Sequence, residues 1–198
     1  MIKLPKALIE LANSFKELPG IGSKTAERLS YFILENDSRY VERFSKNLLS
    51  IDREIDVCNI CFFLVEKGEN CICNDSVDKT IICAVQRPKD VIAFDRTGFD
   101  GMYHVIGGVL SPLDQIGPED LNIDEFMQRI DSNISEVILA MDTSLEGDAT
   151  SVYLANLIEN YNSSIKISRL ARGIPTGGQF DYIDDMTLMR AFNERTEL

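Results

Sequence analysis

The sequence predicts an α/β protein with four parts: an N-terminal helical hairpin bundle, a small cysteine-stapled arm, a parallel-sheet domain, and a C-terminal loop and helix. Three observations carry this. Apolar residues recur at helical spacing through the first 56 residues, four cysteines crowd into the next twenty, and from Thr80 buried-strand patterns alternate with helical ones. Strands separated by helices of ten or more residues imply a parallel sheet with helices on its faces. At 198 residues the chain has room for one domain or two small ones. No run of about 18 apolar residues suggests a membrane span.

The first helix is marked by Leu4, Leu8, Leu11, Phe15 and Leu18, the second by Ala26, Leu29, Phe32 and Ile33. Between them lies Pro19-Gly20-Ile21-Gly22, so the stretch LPGIGSKTAERL is two helices joined by a tight turn. Gly20 and Gly22 allow backbone conformations and a close approach that side chains would obstruct. The second helix starts with free N–H groups at its positive end, where a phosphate is stabilised. Lys24 and Arg28, four residues apart, share one face of that helix. The pattern is that of a helix-hairpin-helix, which grips a nucleic-acid backbone without reading bases. The competing reading is a structural turn flanked by two solvated cations. A third helical pattern, with Val41, Phe44, Leu48, Ile51 and Ile55 on one side, completes the bundle of residues 1–56.

The net charge of −12 opposes phosphate binding, but it is unevenly placed. Residues 1–56 hold nine Lys or Arg and nine Asp or Glu, whereas residues 57–198 hold eleven against twenty-three. A DNA contact is therefore expected only in the N-terminal region, weak for one copy, with the acidic remainder left for proteins or metals. The N-terminus reads as an amphipathic helix containing Glu10 and not as a signal peptide, so a cytoplasmic location is expected.

Cys58 and Cys61 form a C-x-x-C pair, and Cys71 and Cys73 a C-x-C pair. Four thiolates within sixteen residues can surround one tetrahedral ion, which makes residues 57–76 a C4-type finger holding structural Zn2+. Such an ion contributes roughly 10–16 kcal/mol, enough to order a segment with almost no core. Reduced, unligated thiols are the alternative. Cys83, within the strand pattern TIICAVQ, reads as a small buried hydrophobe.

In the sheet region the expected order is TIICAVQ strand, PKDVIAFDRTG helix and turn, YHVIGG strand, EDLNIDEFMQRI helix, EVILAM strand, DATSVYLANLIENY helix and SIKISRL strand. His104, the one histidine, lies in a strand pattern without a nucleophile partner and reads as packed or hydrogen-bonded. The loop DTSLEGD follows EVILA and precedes a helix, placing Asp142, Glu146 and Asp148 at the C-terminal edge of the sheet, where ligands gather. Together they could hold Mg2+; the simpler reading is that Asp148 caps a helix starting at Ala149. Gly177 and Gly178 read as a turn before the last helix, since no Gly-Lys-Ser/Thr follows.

The acidic loop resembles that of the Toprim domain of topoisomerases, primases and some nucleases, which reads D-x-D-x-E-G and is preceded by a strand ending in a catalytic Glu. Here Gln86 stands in the position of that Glu and Ser144 in that of the second Asp. A Gln cannot titrate, and a missing carboxylate weakens Mg2+ recruitment, so catalysis is not expected. The order of hairpin, cysteines, eroded acidic loop and Gly-containing tail resembles the bacterial recombination mediators of the RecR family over nearly the whole chain. GMYHVIGGVLSPLDQIGPEDL, EGDAT and RLARGIPTGG add to that resemblance. The family's second cysteine pair is normally C-x-x-C, which would put a ligand at Asn70 where this chain has Cys71.

The resemblance implies a non-enzymatic DNA repair and recombination role, acting with RecO and RecF to help RecA assemble on DNA coated by single-stranded-DNA-binding protein. It implies a homo-oligomeric ring, dimer or tetramer, with Gly20, Gly22, Lys24 and Arg28 at the DNA, a Toprim domain at 79–172 docking partners, and an oligomerisation segment at 173–198. A Mg2+-dependent Toprim nuclease or topoisomerase-like enzyme is the alternative.

Overall fold

The computed structural model describes residues 3–71, 73, 78–174 and 176–195. The chain divides into two compact units, residues 1–55 and 56–198. Residues 72 and 74–76 of the expected finger, and 175 and 196–198 of the expected C-terminal segment, lie outside the described residues.

The first unit contains α1 (Lys6–Lys16), α2 (Ser23–Glu35) and α3 (Ser38–Glu54). α1 and α2 are joined by the expected hairpin, with Ala26 and Ser30 buried on α2. The Ser30 hydroxyl donates to the Ala26 carbonyl at 2.9 Å, a bond that keeps this polar side chain satisfied inside. α3 starts with a strong signal: the Asp37 carboxylate accepts from the Tyr40 N–H at 2.8 Å. The three helices are the expected ones, and α3 leaves its apolar side open. No residue of α3 or α1 is buried, and Leu48 and Ile51 are 56% and 58% exposed. Three short helices have too little mutual surface to cover the apolar side of α3.

The second unit opens with a two-stranded ribbon, β1 (Ile55–Val57) and β2 (Leu64–Glu66), around the cysteine arm. Its body is a four-stranded parallel sheet of order β4-β3-β5-β6, built from β3 (Asp78–Val85), β4 (Gly101–Val105), β5 (Glu136–Ala140) and β6 (Lys166–Arg169). β3 is central, so Ile82 to Val85 form a continuous buried run, as a strand covered on both faces must. Alternation divides that run between two cores. Ile82 and Ala84 join Val137, Leu139, Phe126, Leu154 and Ile158 under α5 (Ile123–Gln128) and α6 (Leu145–Tyr161). Cys83 and Val85 join Val91, Tyr103 and Val105 under α4 (Pro88–Asp95). Phe62 and Phe63 of the cysteine arm pack against this second core.

Two elements differ from expectation. The helix expected over EDLNIDEFMQRI is a 3-10 turn at Pro118–Asp120 followed by the shorter α5, because Leu121 and Asn122 leave helical geometry while the Asn122 amide donates to the Ile106 carbonyl at 2.9 Å. α6 begins at Leu145 and not at Ala149: the Ser144 hydroxyl caps it, accepting from the Gly147 N–H at 3.0 Å. Asp148 is thus inside the first turn, and the capping role expected of it belongs to Ser144. The chain ends in a loop where Gly177 adopts φ +83°, a 3-10 turn at Phe180–Tyr182, and α7 (Asp185–Asn193). Among the described residues no helix is long and apolar enough to cross a membrane.

Candidate nucleic-acid interface and metal centre

The hairpin turn is a type II turn. The Ile21 amide donates to the Leu18 carbonyl at 3.1 Å, Pro19 takes the first central position, and Gly20 takes the second at φ +79°. Only Gly20 needs the left-handed region. Gly22 has ordinary extended φ of −83° and precedes α2, with open space where a side chain would stand. No side chain caps α2 at Gly22, and its first ladder bond is from the Ala26 N–H to the Gly22 carbonyl at 2.9 Å. The amides of Ser23, Lys24 and Thr25 therefore precede the intrahelical ladder, at the positive end of a 13-residue helix. Lys24 and Arg28 are exposed and enter no ion pair among the described residues. Uncapped amides, an unobstructed glycine and two free cations together can accept phosphate oxygens.

The cysteine arm is organised from the backbone outward. Phe62 adopts φ +60° and donates its N–H to the Cys58 carbonyl at 2.9 Å, while the Cys58 N–H bonds the Phe63 carbonyl at 2.8 Å. This tight reversal turns both Cys58 and Cys61 inward. The arm is fixed to the sheet by the Val105 N–H, which donates to the Cys61 carbonyl at 2.8 Å. All four sulfurs of Cys58, Cys61, Cys71 and Cys73 lie within 4.8 Å of one another, and all four residues are buried. A tetrahedral ion with metal–sulfur bonds of about 2.3 Å would set sulfur–sulfur edges of about 3.8 Å. Cys58 and Cys73 are 3.8 Å apart and Cys61 and Cys71 3.1 Å. The cluster fits a four-coordinate metal.

The one-residue shift at the third ligand is absorbed locally: Cys71 is buried at the cluster, whereas Asn70 is exposed. Burial pushes the Cys61 thiol far up and the Cys73 thiol up to about 12, with the Cys71 side chain adding to both. Burial also pushes Cys58 up, but N–H groups of Cys61 and Ile60 more than offset it, leaving that thiol at about 7. A cation would lower the cost of ionising thiols so close together.

At the sheet edge the structure separates the three acidic residues. Among the described residues the cysteines are the group whose ligand atoms converge to metal distance; Asp142, Glu146 and Asp148 do not. Asp142 is exposed beyond β5, and its N–H reaches the buried Gln86 Oε1 at 3.4 Å, so Gln86 braces the ends of β3 and β5. Gly147 is required here, since a Cβ would stand 2.1 Å from the Asp142 carbonyl oxygen. Asp148 faces Arg172, which donates through both guanidinium nitrogens, one at 2.8 Å, and Arg190 Nη2 lies 3.6 Å away. The Arg172 guanidinium holds the Asp148 carboxyl below the usual carboxylate range. Sequence reasoning singles out neither arginine. Arg172 lies in the RLARGIPTGG stretch, but no spacing rule links it to a carboxylate 24 residues earlier.

His104 is fully buried, as expected. Its Nε2 bonds the Asn122 carbonyl at 3.0 Å, Arg129 Nη1 meets Nδ1 at 3.2 Å, and Phe62 and Phe126 pack against the ring. Burial lowers its pKa to about 4, so the ring is neutral, with Nε2–H donating and Nδ1 accepting.

A helix-hairpin-helix, a four-cysteine cluster that fits a metal and a parallel Toprim-type sheet in one chain define a protein of nucleic-acid metabolism. Comparisons with known proteins narrow this class. The family model described as RecR, helix-hairpin-helix matches residues 8–51, that of the Toprim domain residues 80–171, and that described as RecR, C-terminal residues 173–196. The recombination protein RecR of Tropheryma whipplei, in strains Twist and TW08/27, is 43% identical over 189 residues, covering 94% of this chain and 94% of each relative. The chain belongs to the RecR family of recombination proteins.

Proposed function

We propose that this protein is a recombination and repair mediator that holds DNA through several copies of its hairpin and recruits partners without catalysing a reaction. The single observation that carries this is the N-terminus of α2: no side chain caps it, Gly22 leaves the approach open, and Lys24 and Arg28 stand beside it without acidic partners among the described residues. One such site, in a neutral region, is a weak clamp. Several held together raise the effective concentration of each, so assembly is part of binding. The uncovered apolar residues of α3, and Met186, Met189 and Phe192 on α7, supply surface for a homo-oligomeric dimer or tetramer.

In this reading residues 1–56 bind DNA, residues 57–76 form a finger with structural zinc on Cys58, Cys61, Cys71 and Cys73, residues 79–172 dock partners, and residues 173–198 assist assembly. The partners are RecO and RecF, and the outcome is RecA loading in the cytoplasm onto strands covered by single-stranded-DNA-binding protein. Asp142 and Glu146 are the loop carboxylates open to a partner. Gln86 cannot titrate and Asp148 is paired with arginine, both of which oppose a magnesium-dependent nuclease.

Fluorescence anisotropy on a labelled single strand tests the proposal. Lys24→Glu combined with Arg28→Glu should abolish retention at moderate salt. Replacing the two residues by Gln should lower the slope of log affinity against log salt by about one unit for each phosphate that is no longer neutralised. Unchanged binding with a native circular-dichroism spectrum would leave the hairpin a structural turn. Metal-dependent nicking of plasmid DNA that vanishes in Asp142→Ala would make the protein an enzyme.

A further inference from the structure

The C-terminal helix is held to the sheet by charge and hardly at all by burial. No residue of α7 is buried, and Met186, Met189 and Phe192 on it are more than half exposed. What ties the segment down is a chain of ion pairs at the C-terminal edge of the sheet. Arg172, at the start of the tail and only 13% exposed, forms a two-pronged pair with Asp148. Arg190 of α7 reaches the same carboxylate at 3.6 Å, and Glu194 just beyond α7 pairs with Arg169 at the end of β6. Two-pronged guanidinium–carboxylate pairs are the strong, geometrically specific member of this class. Partial burial shields this one from salt. Asp148 is meanwhile fixed from below: it lies in the first turn of α6, whose start is set by the Ser144 cap and the close approach at Gly147.

We propose that Arg172 and Arg190 serve as internal cations at the Toprim loop, occupying Asp148 in place of a divalent ion and latching the C-terminal segment onto the sheet edge. The latch joins two places that are separate in sequence: the acidic loop and the last described helix. While it is closed, Asp148 is withheld from metals and α7 is positioned. When it opens, both arginines and the carboxylate are freed together. The latch stands or falls independently of DNA binding, since it uses none of the hairpin residues.

Hydrogen–deuterium exchange on the full-length protein tests it. Arg172→Gln and Asp148→Asn should each speed exchange of the α7 amides by roughly tenfold or more, the scale of losing one charge-assisted pair. Amides of β3 and β5 should keep their protection. The reciprocal variant, Asp148→Arg with Arg172→Asp, should restore at least part of the α7 protection. Arg190→Gln, whose target is a partly exposed side chain, should give a smaller acceleration confined to the same segment. If Arg172→Gln also loosens the sheet, the Arg190→Gln result decides. Unchanged α7 exchange in Arg172→Gln and Arg190→Gln, or no recovery in the reciprocal variant, overturns the latch. Titration with Mn2+ as a paramagnetic probe should detect no site involving Asp148 in the unmodified protein. A site that disappears in Asp148→Asn would also overturn the proposal.

Discussion

The cysteine arm and the acidic loop make opposite cases for what a cluster of ligand-type residues means. The arm has an irregular C-x-x-C and C-x-C spacing, yet its four sulfurs gather within 4.8 Å and are shielded from water. The loop has three carboxylates within seven residues in a place where metals often sit, yet they do not converge, and Asp148 is taken by arginine. Spacing along the chain limits what can meet, but backbone reversals and competing partners decide what does. The Phe62 turn brings the cysteines inward, whereas the Ser144 cap and the Arg172 pair pull the acids apart.

The comparison breaks most visibly under metal removal. Chelation should unfold residues 57–73, because roughly 10–16 kcal/mol of metal binding stands in for an absent core. Native mass spectrometry should show one metal equivalent on the unmodified protein, none on Cys71→Ser, and one on Asn70→Ser. Loss in both variants would mean that the ligand set includes Asn70. Millimolar Mg2+ should leave the melting temperature unchanged, as expected of a loop whose Asp148 carries its own counterion.

His104 packs on Phe62 of the arm. Its folded pKa of about 4 is below the unfolded value of about 6.5, so the unfolded chain binds the extra proton in that interval. The contribution is complete above about pH 6.5 and fades as pH falls toward 4, by up to about 3 kcal/mol. Urea unfolding across that range should show this slope, and His104→Asn should flatten it, whatever its overall stability. Gly147→Ala should cost about 1–3 kcal/mol by forcing α6 away from the Asp142 carbonyl. Ser144→Ala, which removes only a cap, should cost about 1 kcal/mol by the same measurement.

Much of the architecture is legible from periodicity. The hairpin, the buried central strand and the alternation of strands and helices follow from where apolar residues fall, because burial on a helix or a sheet imposes its own repeat. The hairpin residues are legible too, since a Pro-Gly turn and the helix start after it are local devices. Periodicity has a limit in the same region: it shows that α3 has an apolar face, not how far the other two helices cover it. Asp148 is not the cap expected of it because Ser144, four residues earlier, competes for the same role, and which one caps depends on how α6 meets β5.

The sequence by itself determined the element types, the family resemblance, the four candidate thiols of the cysteine arm and the uneven charge that limits the expected DNA contact to the N-terminal region. Those are properties of local chemistry and order along the chain. Only the tertiary structure decided that the four sulfurs converge, that Gln86 is a brace, that His104 is neutral, and that Arg172 and Arg190 occupy Asp148. Each of these depends on groups brought together by sheet register and loop closure, and neither leaves a periodic trace in sequence. The physical reason is the reach of the interactions: helix and strand propensities act over a few residues, while ion pairs, metal clusters and desolvation act through space.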